Sequence, residues 1–139
     1  MPDPIHSSTI TEGIRVRAEA AYMPEHSSPG DERYFFSYRI VIVNEGDSPA
    51  QLISRHWIII DSHGKQTEVR GPGVVGHTPR LEAGEDFEYT SFCPLTTDFG
   101  TMEGSYQMRR DDGETFDVKI GRFYLASNAP QPVFADEKV

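Results

Sequence analysis

The residues with the clearest chemical potential lie in the stretch RGPGVVGHTPR, residues 70–80. Gly71, Gly73 and Gly76 stand at the GxGxxG spacing that lets backbone amides close on a dinucleotide pyrophosphate. That chemistry needs a helix directly after the glycines, with its N-terminus aimed at the phosphates. Here Pro79 arrives three residues after Gly76, the segment LEAG (81–84) reads as a turn, and no GK[ST] ending follows. The context of a nucleotide-binding βα unit is therefore missing. Two readings remain. The glycines serve the backbone, through positive φ, a bulge or close contact with a neighbouring segment. Alternatively, exposed amides around Gly73 and Gly76, helped by Arg70 and Arg80, form a nest for a small anion. Pro72 removes one donor from that nest, so backbone geometry is the preferred reading. The candidate ligand-binding residues are Arg70, Gly71, Gly73, Gly76 and Arg80.

Other reactive side chains form no constellation. His56, His63 and His77 have Asp61 and Glu68 nearby, yet no HExxH, paired CxxC or acidic calcium loop is present. Cys93 is followed by Pro94 and has no histidine close in sequence, so a small buried hydrophobe is expected. Ser105 in EGSYQ lacks the second glycine of a nucleophile elbow. Asp98 and Glu103 read as separate solvated carboxylates. No catalytic residue, metal ligand set or cofactor is expected, and the chain reads as a non-enzyme.

The elements that carry these residues follow from composition and periodicity. A chain of 139 residues makes one domain. With 22 acidic against 13 basic residues, its net charge is −9 with neutral histidines, which opposes nucleic acid and anionic membrane as partners. The single cysteine allows no internal disulfide and fits a reducing compartment. The N-terminus, MPDPIHSSTI, has no secretory pattern. The longest apolar runs, Ile40 to Val43 and Trp57 to Ile60, fall short of a membrane span. A cytoplasmic protein is expected, as a monomer or weak homodimer.

The hydrophobic period is two. Ile14, Val16, Ala18, Ala20 and Tyr22 alternate with polar neighbours, and Tyr34, Phe36, Tyr38, Ile40 and Ile42 form another apolar face. The linker between them, PEHSSPGDE, is made of turn formers. After the turn NEGDSP, the stretch Gln51 to Asp61 is apolar on both faces and reads as a central strand that buries Trp57. Strands follow at Lys65 to Arg70, around Phe87 and Tyr89, and at Gly104 to Arg109. Asp111-Asp112-Gly113 is a hairpin turn. The last strand holds Phe116, Val118 and Ile120 on one face and resumes as Phe123 and Leu125, so its phase slips at Gly121 as a β-bulge would make it. Seven or eight strands without helical periodicity predict an all-β, antiparallel β-sandwich, immunoglobulin-like or fibronectin type III-like. Tyr106, two residues before Met108 on the penultimate strand, stands where a tyrosine corner would place its ring. Residues 1–7 read as a flexible arm, 8–127 as the sandwich and 128–139 as a polar tail.

The segments RHWIIIDSHGK (55–65), VRGPGVVGHTPRLEAGEDFEYTS (69–91) and CPLTTDFGTMEGSYQM (93–108) resemble the ApaG family, and with the first strands the resemblance covers residues 8 to 127. It implies a fibronectin type III-like sandwich in a small bacterial protein linked to cobalt resistance and magnesium efflux. It also implies an interaction module, since similar domains occur in eukaryotic F-box proteins and in a DNA-polymerase-interacting protein. The proposed pyrophosphate loop of the family falls on Gly71, Gly73 and Gly76. Phe92 stands where the family usually has glycine and Asp98 where proline is common, both in the stretch SFCPLTTDFGTMEG, read as a loop. The expected function is a protein-interaction or ligand-sensing module with an unidentified protein partner, acting through the segments Gly71 to Arg80 and Cys93 to Gly104. The alternative is a binder of pyrophosphate or a dinucleoside polyphosphate.

Overall fold

The structure, a computed structural model, describes residues 5–128. It contains nine strands: β1 (His6–Thr11), β2 (Ile14–Tyr22), β3 (Tyr34–Asn44), β4 (Ala50–Asp61), β5 (Gln66–Pro72), β6 (Arg80–Leu81), β7 (Asp86–Leu95), β8 (Phe99–Arg109) and β9 (Thr115–Ala126). All pairings are antiparallel, in one sheet ordered β1-β2-β3-β7 and a second ordered β5-β4-β8-β9, with β6 also on β4. The two sheets form the expected sandwich. The count exceeds the expectation because β6 has only two residues and because β1 begins at His6, ahead of the arm boundary at residue 7. The tail expected over 128–139 lies outside the described residues except for Asn128.

Alternation buries one face of β2, β3, β7, β8 and β9. Ile14, Val16, Ala18 and Ala20 of β2 and Phe36, Tyr38, Ile40 and Ile42 of β3 meet Met102, Tyr106 and Met108 of β8 and Val118, Ile120, Phe123 and Leu125 of β9. Trp57 sits among them at 2% exposure, edge-on to Tyr38, Tyr106 and Phe123 at 5.3, 6.4 and 6.0 Å. The phase slip on β9 is real. Met102 pairs with Phe123 and Gly104 with Ile120, so β9 spends one extra residue at Gly121 and Arg122 and keeps both Ile120 and Phe123 inward. A second bulge, not read from the sequence, lies on β4, where Leu52 pairs with Met108 and Ser54 with Gln107. The extra residue is Ile53. It switches the inward row from Ala50 and Leu52 to Arg55, Trp57 and Ile59.

Two readings are corrected. SFCPLTTDFGTMEG is mostly strand, because β7 runs to Leu95 and β8 starts at Phe99. Pro94 is tolerated inside β7 because that strand has a neighbour on one side only, so its missing N–H costs no ladder bond. Tyr106 forms no tyrosine corner. Its hydroxyl meets that of Tyr89 on the opposite sheet at 2.5 Å, and that partner replaces a backbone acceptor.

The sandwich has two long sides. On one, β1 lies against β9 through side-chain hydroxyls: Ser7 donates to the Gly121 carbonyl at 2.8 Å, Thr9 to the Lys119 carbonyl at 2.7 Å, and Thr11 accepts from the Lys119 amide at 3.2 Å. On the other side the edge strands are β5 and β7, and a cleft remains between them.

Candidate functional site

The glycine stretch connects β5 to β6 along one edge of β4. The Gly73 amide donates to the carbonyl of the bulged Ile53 at 2.9 Å, and the Leu52 amide donates to Pro79 at 2.9 Å, so the loop leaves and rejoins that edge around the bulge. Between these points Val74 and His77 exchange both backbone hydrogen bonds at 2.8 Å, with Val75 (φ 42°) and Gly76 (φ 85°) as the central residues of the turn. Two positive φ values in succession define a type I′ turn. Gly73 has φ 60°, and a Cβ there would stand 2.4 Å from the His77 carbonyl oxygen. Val74 is fully buried and pins the loop to the core.

Gly71 has a different reason. Its Cα partner on β4 is Arg55, whose side chain lies across it, and a Cβ at Gly71 would meet the guanidinium at 3.0 Å. Crossing that bare backbone, Arg55 Nη1 donates to the carbonyls of Pro72 and Gly73, both at 2.9 Å. The loop therefore presents carbonyl oxygens to a cation at this point. Its amides at Gly73, Val74 and His77 are taken inside the fold.

The two expected arginines are set apart. Arg70 is across from His56 and Arg80 across from Gln51, five positions along β4, or roughly 16 Å at strand rise. Arg80 holds Asp111 with Nε and Nη2 at 3.2 and 2.6 Å and Glu82 with Nη1 at 2.5 Å, and these carboxylates raise its pKa further. Arg70 meets Glu68 at 3.2 Å, and Glu68 also accepts from His56 at 2.8 Å, which lowers the pKa of that carboxyl. Of the remaining candidates, His63 lies in the Asp61–Gly64 turn, and His77 packs on Phe87 at 5.6 Å. Glu103 pairs with Arg122 at 2.6 Å, while Asp98 sits in the β7–β8 turn with its carbonyl on the Ser127 amide. Among the described residues, no three His, Cys, Asp or Glu side chains stand together as a metal site.

What the structure does bring together is the cleft between β5 and β7. It encloses about 460 Å³ and has Arg55, Trp57, Ile59 and Asp61 of β4 as its floor. Thr67 and Val69 of β5 form one wall, and Ser91, Cys93, Leu95 and Thr96 the other, with Tyr38 beneath. Cys93 is buried, and burial pushes its thiol up to about 12. Tyr89 and Tyr106 are also raised by burial, and the Arg55 charge opposes that rise in both. Two features of the cleft floor are unusual. Among the described residues Arg55 has no carboxylate partner, and the indole N–H of Trp57, closed off beneath the cleft surface, is the one fully buried side-chain polar atom without an acceptor.

Both segments favoured from sequence border this cleft, Gly71 through Arg55 and the Cys93 segment as a wall. Arg55 itself was missed. The available signal was a cation on the inward parity of a strand that buries Trp57, opposite a glycine on the next strand; the bulge at Ile53 obscured that parity.

The ApaG domain family matches residues 24–110. A Protein ApaG from Anaeromyxobacter dehalogenans (strain 2CP-C) is 55% identical over 119 residues, 86% of this chain and 94% of that protein. Another, from Bdellovibrio bacteriovorus, is 50% identical over 117 residues, 84% of this chain and 92% of its own. The crystal structure of the ApaA protein from Bordetella pertussis superposes with a TM-score of 0.79 at 44% identity, over 93% of this chain and all of that one.

Proposed function

This chain belongs to the ApaG domain family, and from that premise we propose that it is a non-catalytic binding module that receives a protein partner in the cleft between β5 and β7. One observation carries the reading: the sandwich is stitched shut along β1 and β9 and left open along β5 and β7, where a half-buried cation without a carboxylate partner lies on the floor. A half-buried charge without a counter-ion costs free energy, so a cleft that keeps one gains when a ligand supplies the opposite charge. The reactive groups in the cleft oppose turnover. Cys93, the nucleophile there, is held as a neutral thiol.

In this reading the link to cobalt resistance and magnesium efflux runs through the partner the module binds. The module works in the cytoplasm as a monomer or weak homodimer. No helix of the described residues is long and apolar enough to cross a membrane. A photoreactive side chain at Val69, on the cleft wall, should crosslink a discrete partner in cells, while one at Tyr124, on the outer face of the second sheet, should not. Equal crosslinking from both positions, or none from Val69, overturns the reading.

A second reading keeps the glycine loop as a pyrophosphate or dinucleoside polyphosphate site. It is favoured by the amides of Val75 and Gly76 at the turn tip, which take no acceptor among the described residues. Against it stand the carboxylates already on Arg70 and Arg80. Calorimetric titration with pyrophosphate at physiological salt separates the two.

A further inference from the structure

We infer that the cleft recognises the free C-terminus of an extended, apolar peptide segment, with Arg55 as the carboxylate anchor. The inference rests on the cleft reading above and gives it a ligand chemistry.

Charge sets the first limit. Arg55 is the only arginine among the cleft residues. The other cation there, Lys65, is exposed and follows Asp61 across the β4–β5 turn, where the Asp61 carboxylate accepts the His63 and Lys65 amides at 2.9 Å. One available guanidinium, in a protein of net charge −9, matches a single negative charge and opposes a polyphosphate. With Nη1 held by Pro72 and Gly73, Nε and Nη2 remain as a fork of donors, the geometry that takes a carboxylate through two parallel bonds. The carbonyl clamp also fixes the guanidinium before binding, which limits the entropy lost on complex formation.

Shape sets the second limit. Trp57, Ile59, Val69, Leu95 and Met102 make the walls largely apolar. From Arg55 to Asp61 the floor is six positions of one strand, about 20 Å long, the length of six extended residues. β5 and β7 each have a strand on one side only, so main-chain groups along both cleft rims, the Pro94 position excepted, await a partner. An extended peptide supplies such groups, and a small organic acid does not.

The chain direction also agrees. β7 runs from Tyr89, within the field of Arg55, towards Leu95, which packs at Gly100 beside Ile60. A segment whose C-terminus sits at Arg55 therefore lies antiparallel to β7, the better pairing for an added strand. It would close the open side as β1 closes the other.

Trp57 is the only tryptophan of the chain and reports on the cleft. The test is a fluorescence titration of the whole protein with a pool of N-acetylated hexapeptides randomised over apolar residues, with either a free or an amidated C-terminus, and with 4-phenylbutyrate. The free-acid pool should saturate the signal at least tenfold more tightly than either comparison. Arg55→Gln should lose at least tenfold, with partial rescue by Arg55→Lys. Val69→Glu, at a half-exposed wall position, should also lose at least tenfold while the melting temperature stays unchanged. Equal binding of acid and amide pools overturns the carboxylate anchor and leaves the partner cleft standing. Equal binding of phenylbutyrate overturns the peptide. Saturation by none of them overturns the inference, and the Val69 crosslink then decides the broader reading by itself.

Discussion

The two long sides of this sandwich present the same task, covering the rim where one sheet ends above another, and the chain treats them in opposite ways. On the β1/β9 side the inward row of β1 is Ser7, Thr9 and Thr11. Each hydroxyl finds a main-chain group of β9, so the rim is sealed with polar side chains short enough to bring the strands together. The bulge at Gly121 makes this possible: a Cβ there would meet Thr9 at 2.8 Å and Ser7 at 3.3 Å. On the β5/β7 side the rim carries Thr67, Val69, Ser91 and Cys93, with no hydrogen bond between the two strands, and a long cation lies across the glycine instead. A glycine admits a strand on one side and an arginine on the other. The difference teaches that the open side is a built feature, since the fold contains the means of sealing a rim and uses it once.

The sharpest way to break the comparison is to remove the side chain beneath the open rim. Trp57→Ala should cost about 3–5 kcal/mol, as for a large aromatic in a packed core. Its folded-state emission should be blue-shifted and poorly quenched before the change. A red-shifted, freely quenched emission in the native protein would show that the cleft floor is not core.

Two glycine replacements come next, one for each side. Gly121→Val should lever β1 away from β9 and destabilise by about 1–3 kcal/mol, as overpacking does. Exchange protection should be lost first at Ser7 to Thr11. Gly73→Ala forces a side chain into φ 60° and against the His77 carbonyl, and should cost a similar 1–3 kcal/mol. A Gly121→Val protein that keeps β1 protected would mean that the seam carries no tension, and the contrast between the rims would lose its basis.

These glycines show how far the sequence can be read. The sandwich, the hairpin turns and the slip at Gly121 were legible because alternation and turn chemistry are local. That no helix follows GxGxxG was legible too, because Pro79 arrives so soon after Gly76. Arg55 was not. Its inward direction depends on the bulge at Ile53, which arises from pairing with β8, and its seat depends on a glycine sixteen residues away. The open rim was equally hidden, because nothing within β5 or β7 states which strand lies beside it.

Titration sharpens the comparison at smaller cost. Cys93, on the open side, has its thiol pushed up by burial to about 12 from an ordinary value of 9.0. A raised folded-state value gives stability that is complete below the unfolded value and is lost as pH rises towards the folded one. The window is therefore pH 9 to 12, and by pH 10 the loss should be roughly 1 kcal/mol. Cys93→Ala should remove that part of the alkaline slope. Native Cys93 should react slowly with thiol reagents at pH 8 and quickly once denatured. Fast native labelling would place the thiol in solvent, in a cleft wider than about 460 Å³.

The smallest expected effect is the most informative about which region binds. Arg70 and Arg80 are surface cations on exposed carboxylates, and such pairs contribute little because solvent and salt screen them. Arg70→Ala/Arg80→Ala should therefore leave the melting temperature close to that of the parent protein. It should also leave the Trp57 titration untouched, since neither arginine lines the cleft. The glycine loop makes the opposite claim on the same variant. If the loop holds a pyrophosphate, these are the two cations that must meet it, roughly 16 Å apart as they stand and each needing to leave its carboxylate first. Micromolar pyrophosphate binding at physiological salt, abolished by the double change while the fold is retained, would show that they do so. It would move the binding region from the open rim to the loop. Unchanged stability, unchanged titration and no pyrophosphate affinity leave the glycines with the two tasks their geometry assigns them: turning the chain back onto β4 and clearing the path of Arg55.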